Sequence, residues 1–219
     1  MNKQTKRQAL AELEEMYPEA KAELVFSNPY EMLVATILSA QCTDRQVNKV
    51  TPAVFERWPD ACAMADAKES ELYPLVKSCG FKTKAAHIIA ACKMIRDQYG
   101  GRVPDTREAL TALPGVGRKT ANVVLSNAFG LPAFAVDTHV FRVCNRIGLC
   151  RAGTVEETEK QMTRLIPEDK WGQAHHWLIW HGRRVCKAVH PLCGECRLRE
   201  MCEYARQAGK KADSQKDQG

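Results

Sequence analysis

Apolar residues recur at three- and four-residue steps along almost the whole chain. YEMLVATILSA (30–40) places Met32, Ala35, Ile37 and Leu38 close to one face, the spacing of an amphipathic helix. KAAHIIAACKMIRDQYG (84–100) repeats that spacing and stops at a Gly-Gly pair, a helix C-terminal signal. TVEETEKQMTRLIP (154–167) opens with Thr154 as an N-cap and Glu157 as its capping-box partner, and it closes before Pro167. TREAL (106–110), capped by Thr106, reads as a short helix, and KTANVVLSNAF (119–129) as a longer one. No run combines sustained alternation with Asn-Gly or Asp-Gly turns, so strands are not expected. The pattern predicts an all-α fold.

With 219 residues the chain is one large domain or two small ones, and no repeat or low-complexity linker divides it. Only the last dozen residues, AGKKADSQKDQG, are polar enough to predict a frayed tail. The early basic residues lack an apolar run behind them, so no signal peptide is expected. The longest uncharged stretch, Thr120 to Val136, falls short of the roughly 20 apolar residues a membrane helix needs. A soluble, cytosolic-type protein is expected. The net charge of +6 suits a polyanionic partner without demanding one. Cys42, Cys62, Cys79, Cys92, Cys144 and Cys150 are scattered singly, mostly among apolar neighbours, and read as buried reduced thiols.

The first candidate for chemistry is LPGVGRKTA (113–121), between two of the predicted helices. Pro114 fixes φ, while Gly115 and Gly117 permit positive φ and close approach of another backbone. A tight turn there presents amide N–H groups at the start of the second helix, an anion site suited to a phosphate. That is the pattern of a helix-hairpin-helix, which grips the DNA backbone without reading sequence. A helix connection with no ligand is the plainer alternative, and Lys119 could equally be a phosphate-neutralising cation. Asp137, in FAVDTHVFRVCNRIG (134–148), sits where an N-cap belongs. A carboxylate after the apolar FAV is also placed to face a cleft and steady a developing positive charge.

CKAVHPLCGECRLREMC (186–202) carries Cys186, Cys193, Cys196 and Cys202 in a C-x6-C-x2-C-x5-C spacing, which points to a metal site. Structural zinc usually takes paired C-x2-C knuckles and this loop has one, while four thiolates also suit an iron–sulfur cube; spacing leaves both open. Arg183, Arg184, Lys187, Arg197 and Arg199 crowd the loop, where they could offset a cluster's negative charge or meet phosphates.

LPGVGRKTA, VDTH and the cysteine loop, in that order and together with LSAQCTDRQVN (38–48), closely resemble the endonuclease III family of bifunctional DNA glycosylases and abasic-site lyases, from about Met1 through Cys202. The resemblance implies a helix-hairpin-helix glycosylase fold: a six-helix domain at about 22–130 carrying the hairpin (about 106–129), a discontinuous cluster domain of 1–21 with 131–206, the active site in the cleft between them, and a flexible tail at 207–219. It implies Lys119 as nucleophile, Asp137 as the essential carboxylate and the four cysteines as [4Fe–4S] ligands. Gly115, Val116, Gly117 and Arg118 would hold DNA, and Gln41 would fill the hole left by an extruded base. Phe81 would be the opposite-strand wedge or, beside Gly80, a core residue; here GFKTKAAHI is slightly short and lacks the aromatic that often follows the wedge. The implied partner is double-stranded DNA bearing damaged pyrimidines or abasic sites, met by a nucleoid-associated cytoplasmic monomer away from any membrane. The adenine mismatch glycosylases share these motifs but lack a lysine at the position of Lys119 and carry a further C-terminal domain. A non-catalytic, metal-containing DNA-binding module is the remaining alternative.

Overall fold

The structure is a computed structural model that describes residues 1–207. Among the described residues it is all-helical, with no strand. The tail expected from residue 208 lies outside the described residues. The chain divides into two compact units, one of Ala22–Ala133 and one in which Met1–Lys21 joins the chain from Phe134 onward.

The continuous unit is organised around α2 (Pro29–Ser39), begun by Pro29 at its first position and by the Asn28 side chain, which accepts from Glu31 N. Its residues from Met32 to Leu38 are all buried, so α2 is enclosed rather than amphipathic on one face, as the sequence suggested. It packs against α3 (Asp44–Arg57), α6 (Thr83–Tyr99) and α8 (Arg118–Ala128). Two short helices, α4 (Ala61–Ala65) and α5 (Glu69–Val76), link α3 to α6. Helix α7 (Arg107–Ala112) is capped by Thr106, which accepts from Ala109 N. Helix α6 ends where Gly100 turns left-handed, at the predicted Gly-Gly stop.

In the discontinuous unit, α11 (Trp171–Arg184) packs against α9 (Thr138–Ile147) and against α1 (Lys3–Met16). Leu13, Val140, Val143, Cys144, Met162, Trp177, Leu178 and Leu198 form its core. Each fully buried leucine there contributes roughly 1.5–3 kcal/mol, far more than the surface ion pair of Glu14 with Lys170. Helix α10 (Val155–Leu165) is capped by Thr154, which accepts from Glu157 N. Its capping box is not closed as expected: the Glu157 carboxylate accepts from Gly153 N, one residue before the cap.

Of the six scattered cysteines, Cys79, Cys92, Cys144 and Cys150 are buried as expected. Cys62 is exposed on the short helix α4, and Cys42 is half-buried in the turn between α2 and α3, where its thiol meets that of buried Cys79. Among the described residues no helix is long and apolar enough to cross a membrane.

Helix α11 also carries half-buried His176, whose pKa is held down at about 3, first by burial and then by the neighbouring charges of His175 and Arg183. A histidine whose folded pKa lies below its unfolded value favours the native state as the neutral ring. Its contribution is complete above pH 6.5 and is lost as pH falls toward 3. Thermal unfolding should therefore show about 2 kcal/mol less stability at pH 5 than at pH 7.5 from this residue. His176→Gln should flatten that slope; an identical pH dependence in the variant would refute the assignment.

Candidate active site and metal centre

Between α7 and α8 the chain turns in five residues, 113–117. The buried Val116 side chain anchors the turn and its N–H donates to Leu113 O at 3.1 Å. Gly115 has φ +77, and a Cβ there would stand 2.8 Å from the His87 Cβ, so both backbone and packing require glycine. Gly117 differs from expectation. Its φ of −90 is open to any residue, and beyond its chain neighbours no heavy atom lies within 4 Å of where a Cβ would sit. What Gly117 provides is an N-cap position with no side chain, so α8 starts without a side-chain cap. The positive end of the helix is left uncovered beside exposed Arg118 and Lys119, its first two residues.

Two loops of the same unit carry the other expected DNA contacts. Gln41, exposed just beyond α2, has φ 55, a left-handed conformation costly for a residue with a side chain. Phe81 follows a 3-10 turn (Lys77–Cys79) and Gly80, and it is 66% exposed, so it is not a core phenylalanine. A large apolar ring held in water is an unfavourable arrangement that a binding partner would relieve.

Asp137 lies in the other unit. It caps α9, accepting from Val140 N at 2.8 Å, with Phe134, Ala135 and Val136 buried behind it. The carboxylate is half-buried. His139, two residues on, has its pKa lowered by burial, with Asp137 opposing that shift.

The cysteine loop begins where α11 ends. Arg142 and Arg146, one turn apart on α9, hold its backbone: Arg142 Nε donates to Cys186 O at 3.1 Å, and Arg146 Nη1 and Nη2 donate to Lys187 O and Ala188 O at 2.7 and 3.0 Å. The Arg146 guanidinium also stacks on Tyr204, 4.6 Å from its ring centre. Cys186, Cys193, Cys196 and Cys202 line one cavity, walled by Ile147, Val185 and Leu198. Burial pushes the Cys196 and Cys202 thiols up, and the neighbouring cysteines add to that. A cationic core in the cavity would offset that cost and favour the thiolates that metal binding requires. Among the described residues no three His, Cys, Asp or Glu side chains close on a point that would hold one metal ion. A cube in which each thiolate binds its own iron asks for spaced donors around a cavity, and the four cysteines fit that demand.

Sequence reasoning missed Arg142, Arg146 and buried His181. The spacing of the two arginines, four residues apart on α9, was the available signal. The Tyr17 hydroxyl and His181 Nδ1 are 3.0 Å apart, and His181 Nε2 lies 3.7 Å from Cys196 Sγ, joining α1 to the loop through one ring. Two of the expected basic residues are engaged within the protein: Arg197 pairs with Glu12 and Glu15, and Arg184 stacks over Trp180.

Residues 34–168 match the model of the HhH-GPD superfamily base excision DNA repair protein. Endonuclease III of Escherichia coli (strain K12) is 44% identical over 93% of this chain and 97% of its own, and that of Synechocystis sp. is 48% identical over 93% and 94%. A non-covalent endonuclease III–DNA complex superposes with a TM-score of 0.92 at 45% identity, covering 96% of this chain and 99% of that one. A trapped endonuclease III–DNA covalent intermediate gives 0.91 at 46% identity, covering 95% and 99%. With the uncovered helix end after the glycine turn and the four thiols around one cavity, these likenesses settle the family: the chain belongs to the HhH-GPD superfamily of base excision DNA repair proteins, among the endonucleases III.

Proposed function

We propose that this base excision repair glycosylase and lyase removes oxidised or otherwise damaged pyrimidines from double-stranded DNA and nicks the abasic site through a Schiff base on Lys119. The observation that carries the assignment is the position of Lys119: an exposed amine at the second residue of a helix whose N-terminus has no side-chain cap, directly after the glycine turn. A phosphate held by that turn brings the adjoining sugar to the amine.

A base inside a duplex is out of reach, so the nucleotide must leave the stack, at a cost of a few kcal/mol. Backbone grip at Gly115–Arg118, Gln41 in the vacated space and Phe81 against the opposite strand offset that cost. The uncharged Lys119 amine then attacks C1′, and the C1′–N bond breaks with its electron pair leaving on the base. Ring opening converts the adduct to an imine. Loss of a C2′ proton to a nearby base follows, and β-elimination expels the 3′ phosphate and nicks the strand. Asp137 is assigned to the positive charge that develops on the sugar and to proton transfer. Cys186, Cys193, Cys196 and Cys202 would hold a [4Fe–4S] cluster, which when bound cross-links the loop; no catalytic step is assigned to it. The work is done on DNA, in the cytoplasm.

Lys119→Gln should give no borohydride-trapped adduct with an abasic duplex while still binding it. Tight binding by the wild type with neither adduct nor nick would leave only a DNA-holding module. Asn caps a helix as well as Asp does, so Asp137→Asn should melt as the wild type does yet lose about 10²–10⁴-fold in turnover. A change in melting alone would reduce Asp137 to a cap.

The two hairpin glycines separate fold from grip. Gly115→Ala, forced to φ +77 against His87, should cost about 1–3 kcal/mol in thermal unfolding. Gly117→Ala meets no neighbouring atom and loses only the better cap, so it should cost no more than about 1 kcal/mol in stability but weaken duplex binding, measured by anisotropy, because its Cβ would crowd the bound phosphate. Unchanged affinity would remove the turn from the interface.

The purified protein should be brown and carry about four irons and four sulfides per chain. Cys196→Ser should lower iron content and visible absorbance together; a colourless, zinc-loaded, active preparation would refute the cluster.

A further inference from the structure

Lys84, the second residue of α6, is only 7% exposed, yet no side-chain chemistry assigned above requires it. Its ammonium has three N–H donors, and three backbone carbonyls receive them. Nζ donates to Leu38 O at 2.8 Å, to Cys79 O at 2.6 Å and to Ala40 O. Among the described residues no carboxylate pairs with it. Burying an ammonium without a counter-ion is expensive, and a methionine would fill the same volume more cheaply. The cation must therefore do something that packing alone does not.

The identity of the three carbonyls shows what. Leu38 and Ala40 belong to the end of α2, and Cys79 closes the 3-10 turn, so two helix C-termini direct their negative ends at one ammonium. Ala40 O lies in the peptide immediately before Gln41, and Cys79 O in the peptide immediately before Gly80. Each of those peptides leads into a residue of positive φ, Gln41 at 55 and Gly80 at 110. Beyond them stand the two exposed tips, Gln41 itself and Phe81. The Gly80 position would admit a Cβ, 3.5 Å from Lys84 Nζ, so its glycine answers to φ rather than space. A further tie holds the 3-10 turn to the start of α3, Gln46 Nε2 donating to Ser78 Oγ at 2.9 Å.

We propose that Lys84 is the positioning residue of the DNA-inserting elements: its ammonium clamps the peptides before Gln41 and Gly80, so that the Gln41 and Phe81 tips are held at a set spacing before DNA arrives. The proposal rests on the reading of Gln41 and Phe81 as residues that enter the duplex. Lys84 touches no DNA itself. Its effect is preorganisation: a tip already in place loses no conformational entropy on insertion, and a misplacement of about 1 Å can cost on the order of 10²-fold in rate.

The experiment places 2-aminopurine opposite the damaged base and follows its fluorescence together with excision. In Lys84→Met, folded by circular dichroism, the rise in fluorescence at saturating protein should be lost and excision should fall on the order of 10–10²-fold. Lost stability alone would move neither quantity below the melting range. Adding Lys84→Met to Gln41→Ala should cost less than in the wild type, since the two act through one insertion. If Lys84→Met does not fold, Lys84→Gln, which keeps a donor for one carbonyl, is read in the same way. Hydrogen exchange on the unmodified protein tests the brace without any variant: peptides spanning 38–43 and 77–83 should exchange slowly before DNA is added. Fast exchange there that slows only with DNA overturns the proposal. So does a folded Lys84 variant with wild-type fluorescence and excision while Gln41→Ala or Phe81→Ala is impaired. If both of those alanine variants excise normally, the underlying reading of the tips has failed and the proposal falls with it.

Discussion

Every helix ends with backbone groups that its own ladder cannot satisfy, and an all-helical protein has many such ends to provide for. At most of the N-terminal ends a side chain does this: Asn28, Thr106, Asp137 and Thr154 accept from the first-turn amides of the helices they precede. Helix α8 begins differently, since the N-cap Gly117 has no side chain to offer. An end left open in this way carries a partial positive charge that suits an anion, and Arg118 and Lys119 are the first two residues on it. The C-terminal ends show the opposite sign. Lys84 collects carbonyls from α2 and the 3-10 turn, while Arg142 and Arg146 collect those of the cysteine loop.

The same logic explains why cations are placed inside rather than only on the surface. A carbonyl at a helix end is a weak acceptor taken singly, but three of them around one ammonium replace its lost water without a carboxylate. Orientation is the product. Arg146 binds two successive carbonyls of the loop and stacks on Tyr204, which gives a segment without regular structure a defined course between Cys186 and Cys193. In the discontinuous unit, the contact of His181 with Tyr17 on one side and Cys196 on the other couples the first helix to the last loop. A cluster held by those thiols would thus be braced by residues more than 160 positions apart in the chain.

Much of this was legible beforehand where the governing forces are local. The stop at Gly100, the caps at Thr106 and Thr154, the cap at Asp137 and the bend at Gly115 all follow from rules that act within four or five residues. The burial of α2 on every side was not, because its spacing reads as a single apolar face, and only its neighbours α3, α6 and α8 decide how much of it is enclosed. Gly117 and Gly115 look alike in the sequence; packing against His87 and the direction of α8 make one a conformational necessity and the other an opening.

The sequence by itself determined the helices, the turn, the order of the motifs and the residue types that chemistry could use, since those depend on side-chain geometry and neighbours along the chain. Tertiary structure alone decided that Phe81 stands in solvent, that Arg197 is engaged by α1, and that Lys84 lies under two loop tips more than 30 residues apart. The reason is physical: hydrogen bonds and desolvation act between groups in space, and no local pattern records which distant carbonyls will converge on one ammonium.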